Sequence, residues 1–143
     1  MSKPQPSNRF NDDHTARSHP YAQQSFFSGM MHAIHGVKHV FAHERNARIH
    51  LAFAVLAFLL GVLLQVSAAE LAAVFFAVVI VFLAEMFNTA IERTLDLIDP
   101  EENPRIKLIK DMSAGAVLVA AAAAVLIGVA IFAPYLVESV WPN

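Results

Sequence analysis

The sequence predicts an all-α membrane protein: three transmembrane helices and an N-terminal amphipathic surface helix, assembled as an oligomer. Three observations carry this. Apolar residues make up 57% and charged residues 15% of the 143 positions, far to the apolar side of a soluble domain. Three long apolar runs reach, alone or with their helical continuation, the roughly 20 residues a helix needs to cross a bilayer. The charges cluster in the N-terminal third, between Glu85 and Asp111, and at the extreme C-terminus, which leaves those runs clear. The chain has no cysteine, which excludes disulfides and thiolate metal sites. Its net charge of −2 gives no reason to expect nucleic acid.

Residues 1–24 contain Pro4, Pro6 and Pro20 among Asn8, Asn11, Asp12, Asp13 and Gln23, with almost no apolar periodicity. They read as a disordered polar tail. No apolar stretch follows the early positive charges, so a signal peptide is not expected. Residues 25–143 read as one membrane domain.

Its first element is a surface helix over 26–46. Phe26-Phe27, Met30-Met31, Ile34, Val37 and Val40-Phe41 recur at helical spacing between polar residues, the pattern of a helix lying at the membrane surface. Its polar side carries His32, His35, His39 and His43 in one stripe. Two readings compete there: a metal site, because His39 and His43 have the i, i+4 spacing of helical ligand pairs, and a polar face near phosphate headgroups. The second is preferred, since no carboxylate or third-ligand pattern accompanies the histidines.

The first span is expected over 49–69, with only His50 near its start and Gln65 near its end. Ser67-Ala68-Ala69-Glu70 follows as a short turn. The second helix is expected over 71–97, and a polar loop over 98–106 is marked by Asp99-Pro100 and Asn103-Pro104. The third span is expected over 107–138, with Pro134 placed to kink it and Trp141 suited to a headgroup-level anchor. Lys38, Arg45 and Arg48 precede the first span, and Arg93, Arg105, Lys107 and Lys110 surround the 98–106 loop. The positive-inside rule then puts the N-terminus and that loop in the cytoplasm and the C-terminus outside.

Into the end of the second apolar run the sequence drops Glu85, Asn88, Glu92 and Asp96. At about 100° per residue these lie within roughly 80° of one another, on one helical face. From Leu71, Glu85 lies about 21 Å along the helix and Glu92 about 31 Å. Against a hydrocarbon core of about 30 Å, Glu85 falls inside the inner leaflet and Glu92 at its cytoplasmic surface. Polar groups at such depth are costly and call for a role. Glu85 is placed to meet a lipid hydroxyl as a general base. Glu92, nearer water, can hold a hydrated divalent cation, with a second carboxylate at Glu44; Mg²⁺ takes one or two carboxylates and completes its shell with waters and phosphates. Asn88 can hydrogen-bond a phosphate oxygen, and Lys110-Asp111 supplies a fixed cation near the place of a polyphosphate. Together these suit phosphoryl transfer from a nucleotide to a lipid alcohol, which relies on positioning and charge neutralisation. Depth and spacing fit equally well a bundle in which Glu85 and Asn88 join helices and Glu44, Glu92 and Asp96 are interfacial charges. Neither G-x-x-x-x-G-K-[ST] nor G-x-G-x-x-G occurs, so any nucleotide site is of an unusual kind.

In the third span Ala116, Ala120, Ala124 and Gly128 recur every four residues beside Gly115 and Ala123, a repeat that lets membrane helices approach closely. Three spans are few to hide Glu85 and Asn88 from lipid, which is why an oligomer is expected.

Glu85-x-x-Asn88-Thr89-Ala90-Ile91-Glu92-x-x-x-Asp96 resembles the signature of the bacterial diacylglycerol kinase and undecaprenol kinase family. Lys110-Asp111-Met112-Ser113-Ala114-Gly115-Ala116-Val117-Leu118 resembles its second motif, and Ala33-x-x-Gly36 its surface-helix pattern. Glu44-Arg45-Asn46-Ala47-Arg48-Ile49-His50 resembles the entry to the first span in the undecaprenol kinase branch. The likeness covers about residues 27–137. It implies a multi-pass kinase of the bacterial cytoplasmic (inner) membrane, homotrimeric, with MgATP as donor and active sites between subunits. By position it implies Glu85 as general base, Glu44 and Glu92 as Mg²⁺ ligands, and Asn88, Lys110 and Asp111 at the nucleotide and phosphate site. Glu101, Glu102 and Asn103 match a segment that contacts the nucleotide, and Arg48 a position near the lipid. Asn103 departs from the histidine common before the proline there, and Ser25, Met30 and His32 depart from the surface-helix pattern. The function expected is ATP-dependent phosphorylation of undecaprenol. The alternatives are diacylglycerol as acceptor, with the same chemistry, and a small proton-coupled transporter or channel subunit that uses Glu85 as its titrating group.

Overall fold

The computed structural model describes residues 26–98 and 103–140. The expected tail, Glu101, Glu102 and Trp141 lie outside the described residues. Four helices follow in order, α1 (Phe26–His43), α2 (Arg45–Leu63), α3 (Ala68–Ile98) and α4 (Pro104–Val140), with no strand among the described residues. The chain divides into two units, Met1–His35 and Gly36–Asn143. In the first, the described residues form the N-terminal part of α1. The second holds the rest of α1 and the three long helices. α2, α3 and α4 are each long and apolar enough to cross a membrane, with α3 and α4 about 46 and 55 Å long.

The helix ends differ from the expected bounds, each for a local reason. α1 stops at His43 rather than residue 46 because Glu44 takes an extended backbone (φ −94°, ψ 120°) that turns the chain into α2. α2 stops at Leu63 rather than 69. Gln65 there has a positive φ of 54°, Gln65 N–H donates to the Val62 carbonyl (3.2 Å), and Val66 N–H to the Gly61 carbonyl (3.1 Å). That is a Schellman closure with glutamine where glycine is usual.

α3 starts at Ala68 rather than 71 because Ser67 and Glu70 form a capping box. Ser67 N–H donates to Glu70 Oε2 (2.8 Å), and Glu70 N–H to Ser67 Oγ (3.3 Å). The phenol of Tyr135 donates to the same Glu70 oxygen at 2.7 Å and ties α4 to this turn. α4 starts at Pro104 rather than 107. Asn103 Oδ1 accepts from Arg105 N–H at 3.0 Å as an N-cap, with proline at the first helical position. The helix continues through Pro134 to Val140.

α3 is the central helix. Its buried residues are Val74, Ala77, Val81, Glu85, Asn88 and Thr89, a single stripe at helical spacing that changes from apolar to polar at Glu85. The polar stripe is thus the continuation of the packing face. α2 buries only small residues, Ala47, Ala54 and Gly61, one every seven, which lets its backbone approach closely. A Cβ on Gly61 would meet Leu71 Cδ1 at 3.1 Å and Val66 Cγ2 at 3.4 Å. α4 packs mainly against α3 and buries Val117 and Phe132. Of its small-residue repeat, Ala120, Ala124 and Gly128 are half-buried, while Ala116 is exposed. Phe41 packs edge-on against Phe82, ring centroids 5.2 Å apart. Large apolar side chains such as Phe76, Phe87 and Val119 face outward, as hydrocarbon requires.

Candidate functional site

The site grows out of the polar half of the α3 stripe. Glu85 is 3% exposed, and among the described residues its Oε2 is the one buried side-chain oxygen or nitrogen with no hydrogen-bond partner. A buried carboxylate oxygen left without a partner is costly, and where such a group is retained a ligand is a natural explanation. Beside it is a cavity of about 230 Å³. It is lined by Asn46 and His50 from α2, Glu85 and Asn88 from α3, and Ala114, Val117, Leu118 and Ala121 from α4.

Asn88 lies one helical turn further along and links two helices. Its Nδ2 donates to Glu92 Oε1 at 3.2 Å. Its Oδ1 lies 2.7 Å from Ser113 Oγ, which is also 2.8 Å from the Lys110 carbonyl, so one hydroxyl proton serves two acceptors. Lys110 pairs with Asp96. The chain Glu92–Asn88–Ser113–Lys110–Asp96 thus fixes the start of α4 against the end of α3. Glu44, at the entry to α2, accepts from Arg93 of α3 at 2.8 Å.

Of the residues expected in the site, Asn88, Glu92 and Lys110 come together in this network, and Glu85 lines the adjoining cavity with Asn88. Glu44 joins the same end through Arg93. Asn103 is engaged as the α4 cap, which accounts for asparagine at that position independently of any nucleotide. Arg48 and Asp111 are exposed. Asp96, whose part in the stripe had no assigned partner, is the counter-ion of Lys110. Sequence reasoning missed Ser113, His50 and Asn46. Ser113 stands one turn after Lys110 inside the second motif, and His50 and Asn46 lie inside the entry motif, so their place in the pattern was the available signal.

Among the described residues no group of three or more metal-ligating side chains converges. His39 and His43 stack with ring centroids 4.2 Å apart, and His43 Nδ1 donates to the His39 carbonyl at 3.0 Å.

Residues 31–132 match the family described as prokaryotic diacylglycerol kinase. The chain is 36% identical over 121 residues to an undecaprenol kinase of Bacillus subtilis, spanning 85% of this chain and 98% of that protein. It is also 36% identical over 104 residues to a diacylglycerol kinase of Synechocystis, spanning 72% of this chain and 59% of that one. The matched region contains the candidate residues from Glu44 to Asp111, and by the family match and these relatives the chain belongs to the prokaryotic diacylglycerol kinase family.

Proposed function

We propose that this lipid kinase transfers the γ-phosphoryl group of ATP to undecaprenol at the cytoplasmic face of a bacterial inner membrane. The observation that carries the proposal is the unpartnered Glu85 oxygen beside a cavity inside the spans, one turn below the Asn88–Glu92–Ser113 network. A lipid hydroxyl entering the cavity donates its hydrogen bond to Glu85. Glu85 takes the proton as the hydroxyl oxygen bonds to the γ-phosphorus, and ADP leaves. Asn88 and Lys110 orient the phosphates, with Asp96 and Ser113 holding both in register, and Asp111 stands at the edge of the nucleotide site. Arg48 belongs to this reading as a residue near the lipid, and Glu101, Glu102 and Asn103 as the segment that contacts the nucleotide.

Mg²⁺ belongs to the same reading, with Glu44 and Glu92 as the residues that would hold it. Glu44 and Glu92 offer carboxylate oxygens, each with one oxygen engaged by a neighbour. This suits an ion that takes one or two carboxylates and keeps its other positions for phosphates and water. When bound, the ion neutralises polyphosphate charge. The basic residues flanking α2 and the α3–α4 loop favour the N-terminus and that loop on the cytoplasmic side. The surface helix and homotrimeric assembly belong to the same reading, supported by the apolar side chains that α1 to α4 turn outward. Undecaprenol is preferred to diacylglycerol because the undecaprenol kinase relative is matched over nearly its whole length. A proton-coupled transporter is not favoured, because the family and its relatives are lipid kinases.

The test is transfer of labelled phosphate from ATP to undecaprenol and to diacylglycerol in detergent micelles. Label in undecaprenyl phosphate is expected. Label in diacylglycerol alone would move the substrate to the glycerolipid, and label in neither would contradict the proposal.

A further inference from the structure

Among the described residues two ion pairs stand at the outer end of the α3 stripe. Lys110 of α4 pairs with Asp96. Arg93 donates through Nη2 to Glu44 Oε1 at 2.8 Å, a contact across 49 residues of chain. Arg93 and Asp96 are three residues apart on α3 and therefore neighbours on its surface, so the two pairs lie side by side. Glu44 occupies the N-cap position of α2, where a side-chain oxygen ordinarily accepts from the first turn. Its carboxylate makes no such capping hydrogen bond and reaches Arg93 instead. The pair is also open to water, the Arg93 side chain 52% and the Glu44 side chain 27% exposed. An ion pair so placed contributes little to stability, and either partner can leave it for a stronger one.

We propose that Arg93 is a phosphate-binding residue of the nucleotide site and that its guanidinium exchanges Glu44 for the polyphosphate of ATP. The inference rests on the lipid-kinase reading and adds to it a residue and a change of partner. Three features favour it. A guanidinium carries five N–H donors in a planar fork, and the hydrogen bond to Glu44 uses one of its nitrogens. A phosphate accepts the same fork as a carboxylate does and carries more charge, so the exchange strengthens the contact. Arg93 directly follows Glu92 and neighbours Asp96, the partner of Lys110, so its charge stands beside the residues that the same reading gives to the phosphates. The exchange also keeps the charges paired throughout: Arg93 neutralises Glu44 before the polyphosphate binds, and its departure releases that carboxylate for the cation that accompanies a polyphosphate. An ion pair that only fastened α2 to α3 would be indifferent to nucleotide.

The experiment is calorimetric binding of ATP to the full chain in detergent, with and without Mg²⁺. In Arg93→Ala, ATP affinity is expected to fall about tenfold, and in Arg93→Lys, which keeps the charge without the fork, about threefold. KM for undecaprenol is expected to stay as in the wild-type chain. Unchanged ATP affinity in Arg93→Ala would overturn the inference, whereas absence of ATP binding by the wild-type chain would overturn the kinase reading instead. A lowered unfolding midpoint in Arg93→Ala with ATP affinity intact would mark the residue as a fastening of α2 to α3 and likewise overturn the inference. Glu44→Gln, measured without Mg²⁺, tests the exchange itself. Loss of the competing carboxylate is expected to raise ATP affinity about threefold, the scale of one exposed ion pair, and the gain is expected to vanish in an Arg93→Ala background. No gain when Arg93 is present, or an equal gain in both backgrounds, would overturn the exchange.

Discussion

Asn88 is the side chain on which the site turns. Its Nδ2 donates to Glu92 and its Oδ1 accepts from the Ser113 hydroxyl, so it couples the helix that carries the carboxylates to the helix that carries Lys110. A net hydrogen bond of this kind contributes about 0.5–1.5 kcal/mol. Ser113→Ala is therefore expected to lower kcat/KM for ATP by about threefold to tenfold, with KM for the lipid alcohol nearly unchanged, as steady-state kinetics would measure. The Asn88–Glu92 contact was legible in the sequence, because residues four apart share a helical face. Ser113 was not: its contact depends on the register of α4 against α3, which no periodicity within one helix reveals. Gln65 is a second residue whose role emerges only in three dimensions. It holds a left-handed backbone at the end of α2, a conformation that costs a side-chain-bearing residue about 1–2 kcal/mol, less the greater unfolded-state freedom of glycine. Gln65→Gly is expected to stabilise the protein by about 0.5–1 kcal/mol, read as a raised midpoint of thermal unfolding in detergent.

The elements follow from end signals and small residues. The helix boundaries were displaced from expectation by a few residues wherever a cap decides the matter. Ser67-x-x-Glu70 and Asn103-Pro104 were visible as turn-forming residues, but each is part of the following helix's start. The end of α2 was misread because Val62-Leu63-Leu64 continues the apolar run and the residue that closes the helix is Gln65 rather than glycine. Along α2, the seven-residue spacing of Ala47, Ala54 and Gly61 sets the approach of that helix to its neighbours. Gly61→Leu would push against Leu71, Val66 and Phe132. It is expected to cost about 1–3 kcal/mol as an overpacked contact, measurable as a lowered unfolding midpoint. Widened cavities beside α2 should accompany it.

At the scale of the whole molecule, the fold is an apolar exterior around a face that changes character along α3. Val74, Ala77 and Val81 pack the spans together, and the next positions of the same face are Glu85, Asn88 and Thr89. The three long apolar helices and their order were legible, because hydropathy and helical length mark them. The cavity beside Glu85 was not, because it arises from three helices leaving space between them. The account's central claim is that the buried end of this face performs the proton transfer in a lipid kinase, while its outer end holds the nucleotide. The direct measurement is phosphoryl transfer to undecaprenol by Glu85→Gln, made beside calorimetric binding of MgATP. A general base contributes about 10²–10⁴-fold. The account predicts a loss of kcat of that order with nucleotide affinity essentially retained, whereas wild-type turnover by Glu85→Gln would contradict it.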